Sequence, residues 1–446
     1  MTQAFDAKAQ QQTLEDRAQK ALELARRLGA DACEVGASVD QGIGISVREG
    51  DVESVELSRD QGIAVTVYVG KRKGSASSSD ANDASIQSVV ERALSIARYT
   101  GEDSAAGLAD AELMATEFPD LDVHHPWELS TEQAVELALA CESAGLGQEG
   151  IRSSDGASLS SGEGVRVYAN SHGFLGSQAG SRHSLSCMLI AENGNGMQRD
   201  YDYTSSRDPK ELWTPETVGR NAAERTLRRL GGRRPATGRF PVLFDPSMAS
   251  GLVGHLMSAI SGGAIYRDAS FLCGRLEESL FPEWFSLGEM PMLMRGTASS
   301  PFDGDGVQTR DNIFIDAGRL ASYMLSAYSA RRLGLQTTGN AGGARNVRIN
   351  APLQSREALL SRMDRGILVT ELMGQGVNGV TGDYSRGATG FWVENGKIQY
   401  PVEEFTIAGN LSQMFSGLAA IGDDIDTRGS IHTGSWLIDE MTIAGD

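Results

Sequence analysis

Thr13-Leu-Glu-Asp-Arg-Ala-Gln-Lys-Ala-Leu-Glu-Leu-Ala-Arg-Arg-Leu-Gly29, followed at once by Ala32-Cys-Glu-Val-Gly-Ala-Ser-Val39, sets the fold class. Leu14, Ala18, Ala21, Leu22, Ala25 and Leu28 recur at helical spacing and make one apolar stripe, with Gly29 as the stop. Beyond it the runs Ala32 to Val39, Gly42 to Arg48, Val52 to Leu57 and Ile63 to Val69 are short and β-branched. Gly-Asp and Gln-Gly pairs interrupt them, which predicts strands and turns. A second helix is expected from Asp83 to Arg98. Helix, strands, helix describes an α+β unit in which helices cover a sheet.

Working outward, Gly101 to Asp122 is acidic and alanine-rich and reads as a linker. A helix is expected from Thr131 to Cys141, then strands around Val165 to Ala169, His183 to Ala191 and Met197 to Tyr203. A long helix from Pro215 to Leu230 ends in Gly231-Gly232. From Gly238 the texture changes. Phe240 to Phe244 reads as a strand, and Pro246 opens a helix, a position that suits proline. Asn312 to Ile315, Ile367 to Leu372, Gly390 to Val393, Phe405 to Ala408 and Trp436 to Ile443 are short apolar runs between glycines. The expected fold class is therefore α+β, with N-terminal helix/antiparallel-sheet domains followed by a β-rich, glycine-rich C-terminal domain. The expected divisions are 1–110, 123–232 and 238–446.

A net charge of −19 opposes direct binding to a phosphate backbone. The one basic cluster, Arg225, Arg228, Arg229, Arg233 and Arg234, falls at a helix end, where cations suit the dipole. No run approaches the roughly 18 apolar residues of a membrane span, and the N-terminal stretch has no apolar leader segment. Cytoplasm is the expected compartment. Cys33, Cys141, Cys187 and Cys273 are scattered without a C-x-x-C pair, as expected of reduced thiols.

Local chemistry is sparse. Gly374-Gln-Gly-Val-Asn-Gly379 matches a dinucleotide fingerprint, but the glycine-broken Val380 to Gly387 cannot form the helix that would receive the pyrophosphate. Among six histidines, His255 alone sits on a predicted helix, and no second histidine follows it within a hundred residues, so no zincin pair exists there. Asp303, Asp305, Asp423 and Asp424 stand beside glycines, where turns explain them. A carboxylate-bound metal around Asp303, Asp305 and Asp383 is an alternative left open.

The specific signal lies in ordered motifs: Phe302-Asp-Gly-Asp-Gly-Val-Gln-Thr-Arg310, Phe314-Ile-Asp-Ala-Gly-Arg-Leu320, Ser329-Ala-Arg331 and Thr337-Thr-Gly-Asn340. Gly376-Val-Asn-Gly-Val-Thr-Gly-Asp-Tyr-Ser385, Gly387-Ala-Thr-Gly-Phe-Trp-Val-Glu-Asn-Gly396, Tyr400-Pro-Val402, Phe405-Thr-Ile-Ala-Gly-Asn-Leu411 and Met441-Thr-Ile-Ala-Gly445 follow. Together with Ile45 to Leu57 and Gln61 to Tyr68, these resemble the TldD/PmbA family, in its PmbA (TldE) branch, over nearly the whole chain. The resemblance implies a cytosolic metalloprotease of two related subunits that cleaves unfolded or short peptides, including peptide-antibiotic precursors and antitoxins. The family also carries the label of DNA gyrase modulator.

In the zinc-bearing branch an HExxxH helix and a later cysteine hold the metal. Aligning on Gly262-Gly-Ala-Ile-Tyr-Arg267 places Val253, Gly254 and Ser258 at those three positions, and Arg428 to Gly434 offers no cysteine. The resemblance thus implies no catalytic residue and no metal ligand in this chain, with zinc in a TldD-type partner. Asn378, Thr381, Asp383 and Ser385 are the candidates for lining a substrate channel, where backbone edges would hold an extended peptide. No membrane and no direct nucleic-acid partner is expected. Homodimerisation of the isolated chain is possible, and a peptide-binding, chaperone-like homodimer is the alternative reading.

Overall fold

The computed structural model describes residues 5–194 and 196–445. The first four residues of the N-terminal stretch read for a leader lie outside them. Helix α1 (Ala7–Arg27) starts at Asp6, whose carboxylate accepts from the Ala9 N–H at 3.0 Å. It buries Leu14, Ala18, Ala21, Leu24 and Ala25. Leu24 thus belongs to the stripe, and Leu22 and Leu28 are only half-buried.

The four runs expected as separate strands are two long ones, β1 (Ala32–Arg48) and β2 (Asp51–Val69). β3 (Arg72–Ser78) and α2 (Asp83–Tyr99) follow. Residues 101–122 are irregular apart from one short turn, but they are not a solvated linker. Ala105, Ala106, Leu108, Ala109, Ala115 and Leu121 are buried. The Arg331 guanidinium clasps the carbonyls of Ala105, Gly107 and Leu108, which holds the segment against the C-terminal half.

Next come α3 (Thr131–Leu146), β4 (Ile151–Asn170), β5 (Leu175–Asn193), β6 (Gly196–Ser206) and α4 (Pro215–Arg228). Ser130 and Gln133 form a reciprocal capping box at the start of α3. Among the described residues the six strands make one antiparallel sheet, in the order β3-β2-β1-β4-β5-β6. The β1–β4 pairing joins the first two sequence regions into this single sheet. One face is covered by helices. α1 and α2 pack on Val35, Val65 and Val167, and α3 and α4 pack on Ile45, Leu159 and Leu189.

The C-terminal half holds β7 (Gly238–Phe244), α5 (Pro246–Ala259), α6 (Gly262–Ile265), β8 (Ser286–Glu289), β9 (Ile313–Asp316), β10 (Arg319–Leu320), α7 (Ala327–Leu333) and β11 (Val347–Asn350). It continues with β12 (Leu353–Gln354), α8 (Arg356–Ser361), β13 (Arg365–Met373), β14 (Asp383–Glu394), β15 (Lys397–Asn410), α9 (Leu411–Ser416), β16 (Leu418–Gly422), β17 (Ile431–His432) and β18 (Trp436–Ala444). The larger sheet runs β12-β16-β18-β15-β14-β13-β7, and β18 also pairs with β7. That extra pairing closes β7, β13, β14, β15 and β18 into a ring and removes their edges. Phe285, Phe314, Phe415 and Trp436 fill the core. The β14–β15 hairpin turns at Asn395-Gly396, both with positive φ (50° and 71°), the geometry that an Asn-Gly tip supplies.

Two arginines act as docking clamps. Arg428 donates to Asp202 Oδ1 (3.0 Å) and the Tyr203 carbonyl (2.9 Å) of β6, and its guanidinium stacks over the Tyr203 ring. Arg331 holds residues 105–110 in the same manner. The basic cluster at the end of α4 is also engaged internally. Arg229 pairs with Glu371 at 2.6 Å, Arg233 lies 3.6 Å over the Tyr400 ring, and Arg234 bonds Glu404.

Candidate functional site

α5 begins with Pro246 at its first turn and presents two unlike faces. Ala249, Leu252, Val253, Leu256 and Met257 are buried in the core. Gly251, Gly254, His255 and Ser258 recur at i, i+3, i+4 and i+7 on the open side. Of the three positions aligned with a zinc motif, Val253 therefore faces the core, while Gly254 and Ser258 face outward. A Cβ at Gly254 would meet nothing within 4 Å.

The start of β14 lies alongside this face. The Tyr384 ring sits edge-on to His255, with centroids 6.1 Å apart. Burial, and then the nearby Arg386 cation, push the His255 pKa down, so its imidazole is neutral near pH 7. Tyr384 is buried, and its hydroxyl has no hydrogen-bond partner among the described residues. Burial raises that phenol to about 12.

The predicted channel residues form one hydrogen-bonded loop. Asn378 Oδ1 accepts from the Val380 N–H at 2.9 Å, and the Asn378 N–H donates to the Asp383 carbonyl at 2.8 Å. Thr381 Oγ1 donates to Asp383 Oδ2 (2.7 Å), and Asn410 Nδ2 donates to Asp383 Oδ1 (3.2 Å). Those two donors, Thr381 first, hold the Asp383 carboxyl below the usual range. Ser385 follows on the strand with an exposed side chain, and its N–H donates to the Gly376 carbonyl at 2.7 Å.

Gly376 is required by close approach. A Cβ there would stand 1.8 Å from the Ser385 carbonyl oxygen. Gly376→Ala is expected to push the loop off β14 and lower stability by about 1–3 kcal/mol. Urea unfolding measures this loss, and amide exchange at Ser385 reports the broken bond.

The donor set does not fit a zinc ion. Among the described residues no three His, Cys, Asp or Glu side chains group to hold a metal. The cation site left open at Asp303, Asp305 and Asp383 is corrected on the same ground, because these oxygens serve the backbone or the loop. Asp303 accepts from the N–H groups of Asp305, Val307 and Ala341, and Asp305 accepts from that of Ala327 at 2.9 Å. Sequence reading missed the His255–Tyr384–Arg386 group. Its only signal was an aromatic and a cation directly after Gly382-Asp383.

Three consecutive family models match the chain: PmbA/TldA metallopeptidase domain 1 over residues 33–97, the central domain over 124–230 and the C-terminal domain over 237–445. The chain is 49% identical over 438 residues to metalloprotease PmbA of Escherichia coli O157:H7, covering 98% of this chain and 97% of that one. It is 46% identical to a metalloprotease PmbA homolog of Haemophilus influenzae, covering 98% of each. A solved structure from Bacteroides thetaiotaomicron, described as a proposed modulator of DNA gyrase, superimposes with a TM-score of 0.91 at 28% identity. That match covers 97% of this chain and 99% of that one. With family models and near-full-length relatives in agreement, the chain belongs to the PmbA/TldA metallopeptidase family, in its PmbA branch.

Proposed function

We propose that this chain is the non-zinc subunit of a heteromeric metalloprotease, paired with a TldD-type subunit that carries the zinc, and that it acts on unfolded or short peptides. Peptide-antibiotic precursors and antitoxins are the substrate classes that the family resemblance suggests. The observation that carries the reading is the donor set of α5. Glycine, glycine, histidine and serine line its open face, where a zinc helix needs ligands and a general base. In this reading the open face and the braced loop at Asn378, Thr381, Asp383 and Ser385 form one wall of the chamber, and the partner's zinc supplies the hydrolytic chemistry. The unpaired thiols of Cys33, Cys141, Cys187 and Cys273 support a reducing compartment, the cytoplasm. No helix among the described residues is long and apolar enough to cross a membrane.

The test is peptidase activity on an unstructured peptide with this chain alone, a TldD-type partner alone, and both together. Activity in the mixture only, abolished by a chelator, is the expected result. Chelator-sensitive hydrolysis by this chain alone would overturn the proposal.

A further inference from the structure

The face of the six-stranded sheet that carries no helices looks toward the C-terminal half, and a long cleft runs between them. It consists of two adjoining cavities of about 620 and 920 Å³, both lined by Arg166, Gln178, Arg207 and Thr297. The floor is built from cross-strand rows of small residues. Ser77 pairs with Ala64, and Ala64 with Gly36. One row further along, Gly62 pairs with Ser38, Ser38 with Arg166 and Arg166 with Gln178. Next to it Asp40 pairs with Gly164, and Gly164 with Gly180. Small side chains leave depth above the strands. The long ones that rise from them are Tyr168, Arg166, Gln178 and Arg182, all on alternate positions of β4 and β5.

The charges lining this cleft are uneven. Arg166, Arg182, Arg207 and Arg345 line it, and among the described residues none of the four has a carboxylate within ion-pair distance, although the chain carries a net charge of −19. The Arg166 guanidinium makes no hydrogen bond among the described residues. Among the described residues the Arg182 guanidinium donates only to the Ser205 hydroxyl. Arg207 donates to the Ser181 and Thr297 carbonyls at 2.9 and 2.6 Å, and its Nε has no acceptor. Arg345 donates only to the Gly343 and Ala341 carbonyls through its guanidinium. Arg207 also feels Arg182 and Arg166 as like charges.

Three acids line the cleft and offset part of this charge. Glu163 is held at 2.9 Å by His124 and also accepts from Gln41. Asp303 accepts from backbone N–H groups and, with Glu289, acts on Arg345 as an opposite charge. Asp40 is the acid that faces Arg166. Four arginines against Asp40, Glu163 and Asp303 leave a small excess of positive charge in a walled groove, where it acts more strongly than on an open surface.

We infer that this cleft binds the carboxylates of an extended acidic peptide, with Arg166 and Arg182 making the direct contacts and Arg207 supplying background charge. The inference rests on the peptide reading above and adds a substrate preference to it. A nucleic acid is the disfavoured ligand, because the acidic exterior repels a long phosphate chain while a peptide presents carboxylates on a slender backbone that the glycine and serine floor accommodates.

The experiment is fluorescence anisotropy on the full chain without any partner. The probes are an unstructured glutamate-rich peptide, its C-terminally amidated form, a lysine-rich peptide of equal length and a single-stranded oligonucleotide. The glutamate-rich peptide is expected to bind and the lysine-rich one not. Arg166→Glu or Arg182→Glu should each weaken binding by about tenfold or more at low salt. Arg92→Glu, an exposed change of equal charge on α2, should leave it within about twofold. Equal binding by the amidated form assigns the contacts to side-chain carboxylates, and loss on amidation assigns them to the chain terminus; both support the cleft. Equal binding of the acidic and basic peptides, indifference to both arginine changes, or tighter binding of the oligonucleotide would overturn it. The assay needs neither hydrolysis nor a second subunit, so it fails or succeeds independently of the peptidase test.

Discussion

Arg331→Ala is expected to release residues 101–115 from the C-terminal half and to lower the stability of the chain by about 2–4 kcal/mol. One guanidinium serves four acceptors on this segment. Nη1 donates to the carbonyls of Ala105 (3.4 Å) and Gly107 (3.0 Å), and Nη2 donates to the Leu108 carbonyl and to Asp110 Oδ1 (3.1 Å). The Asp110 pair is largely exposed and contributes little. The carbonyl contacts matter more, because they let an irregular segment bury Ala105, Ala106, Leu108 and Ala109 without orphaned backbone groups. Tyr328 adds a second tie, its hydroxyl donating to Asp103 Oδ2 at 2.7 Å. Hydrogen exchange should therefore rise over residues 101–115 in Arg331→Ala and remain at the wild-type level in α1 and β1. Arg331→Lys should recover little, because an ammonium cannot span three carbonyls. Unchanged exchange in the alanine variant would show that the buried alanines alone hold the segment.

That clasp also marks where sequence reading ended. Composition made residues 101–122 a linker, since an acidic, alanine-rich stretch has no periodicity. The partner that buries it lies more than 200 positions away in Ser329-Ala-Arg331, and no local pattern carries that distance. Elements governed by their own neighbours were legible. α1, α2 and α4 show caps and stripes, and the Asn395-Gly396 hairpin shows its turn. β1 and β2 were split because Gly42, Gly44 and the polar Ser58-Arg59-Asp60 interrupt their apolar alternation, while the sheet pairing runs straight through.

At the site, Asn378, Thr381 and Asp383 cluster because a loop is local. His255 meets Tyr384 only through packing of α5 against the β-sheet. The cleft arginines were invisible for a related reason. Arg166 and Arg182 share one face only once the β4–β5 register is known, and in the sequence each reads as an ordinary polar position of a strand. The ordered motifs carried the family, and one of their residues, Arg331, helps Arg428 hold the halves of the chain together.

Asp303→Ala is expected to cost about 3–5 kcal/mol, and Asp303→Asn to change how stability depends on pH. Asp303 is 2% exposed. Its Oδ1 accepts from the N–H groups of Asp305 (2.8 Å) and Val307 (2.9 Å), and its Oδ2 from that of Ala341 (2.9 Å). Alanine would strand these three donors, two of them fully buried, at about 1–3 kcal/mol each, less the relief of no longer burying a carboxylate.

Burial, and then the Asp305 charge, raise the Asp303 pKa to about 6, whereas in the unfolded chain it returns to about 4. Between those values the folded chain holds a proton that the unfolded chain does not. The stability from this group is therefore fully present below about pH 4 and is lost as pH rises through about 6. Asparagine cannot titrate, so the stability of the wild type relative to Asp303→Asn should fall between about pH 4 and about pH 6 and level off above that. The buried histidines His183, His255 and His432, whose pKa values burial lowers, are common to both proteins and cancel in the difference. Urea unfolding of the two proteins at several pH values measures that difference directly. A gap that stays flat with pH would mean that Asp303 keeps its charge in the folded chain, held by the backbone donors of its own turn, and that donation there outweighs burial.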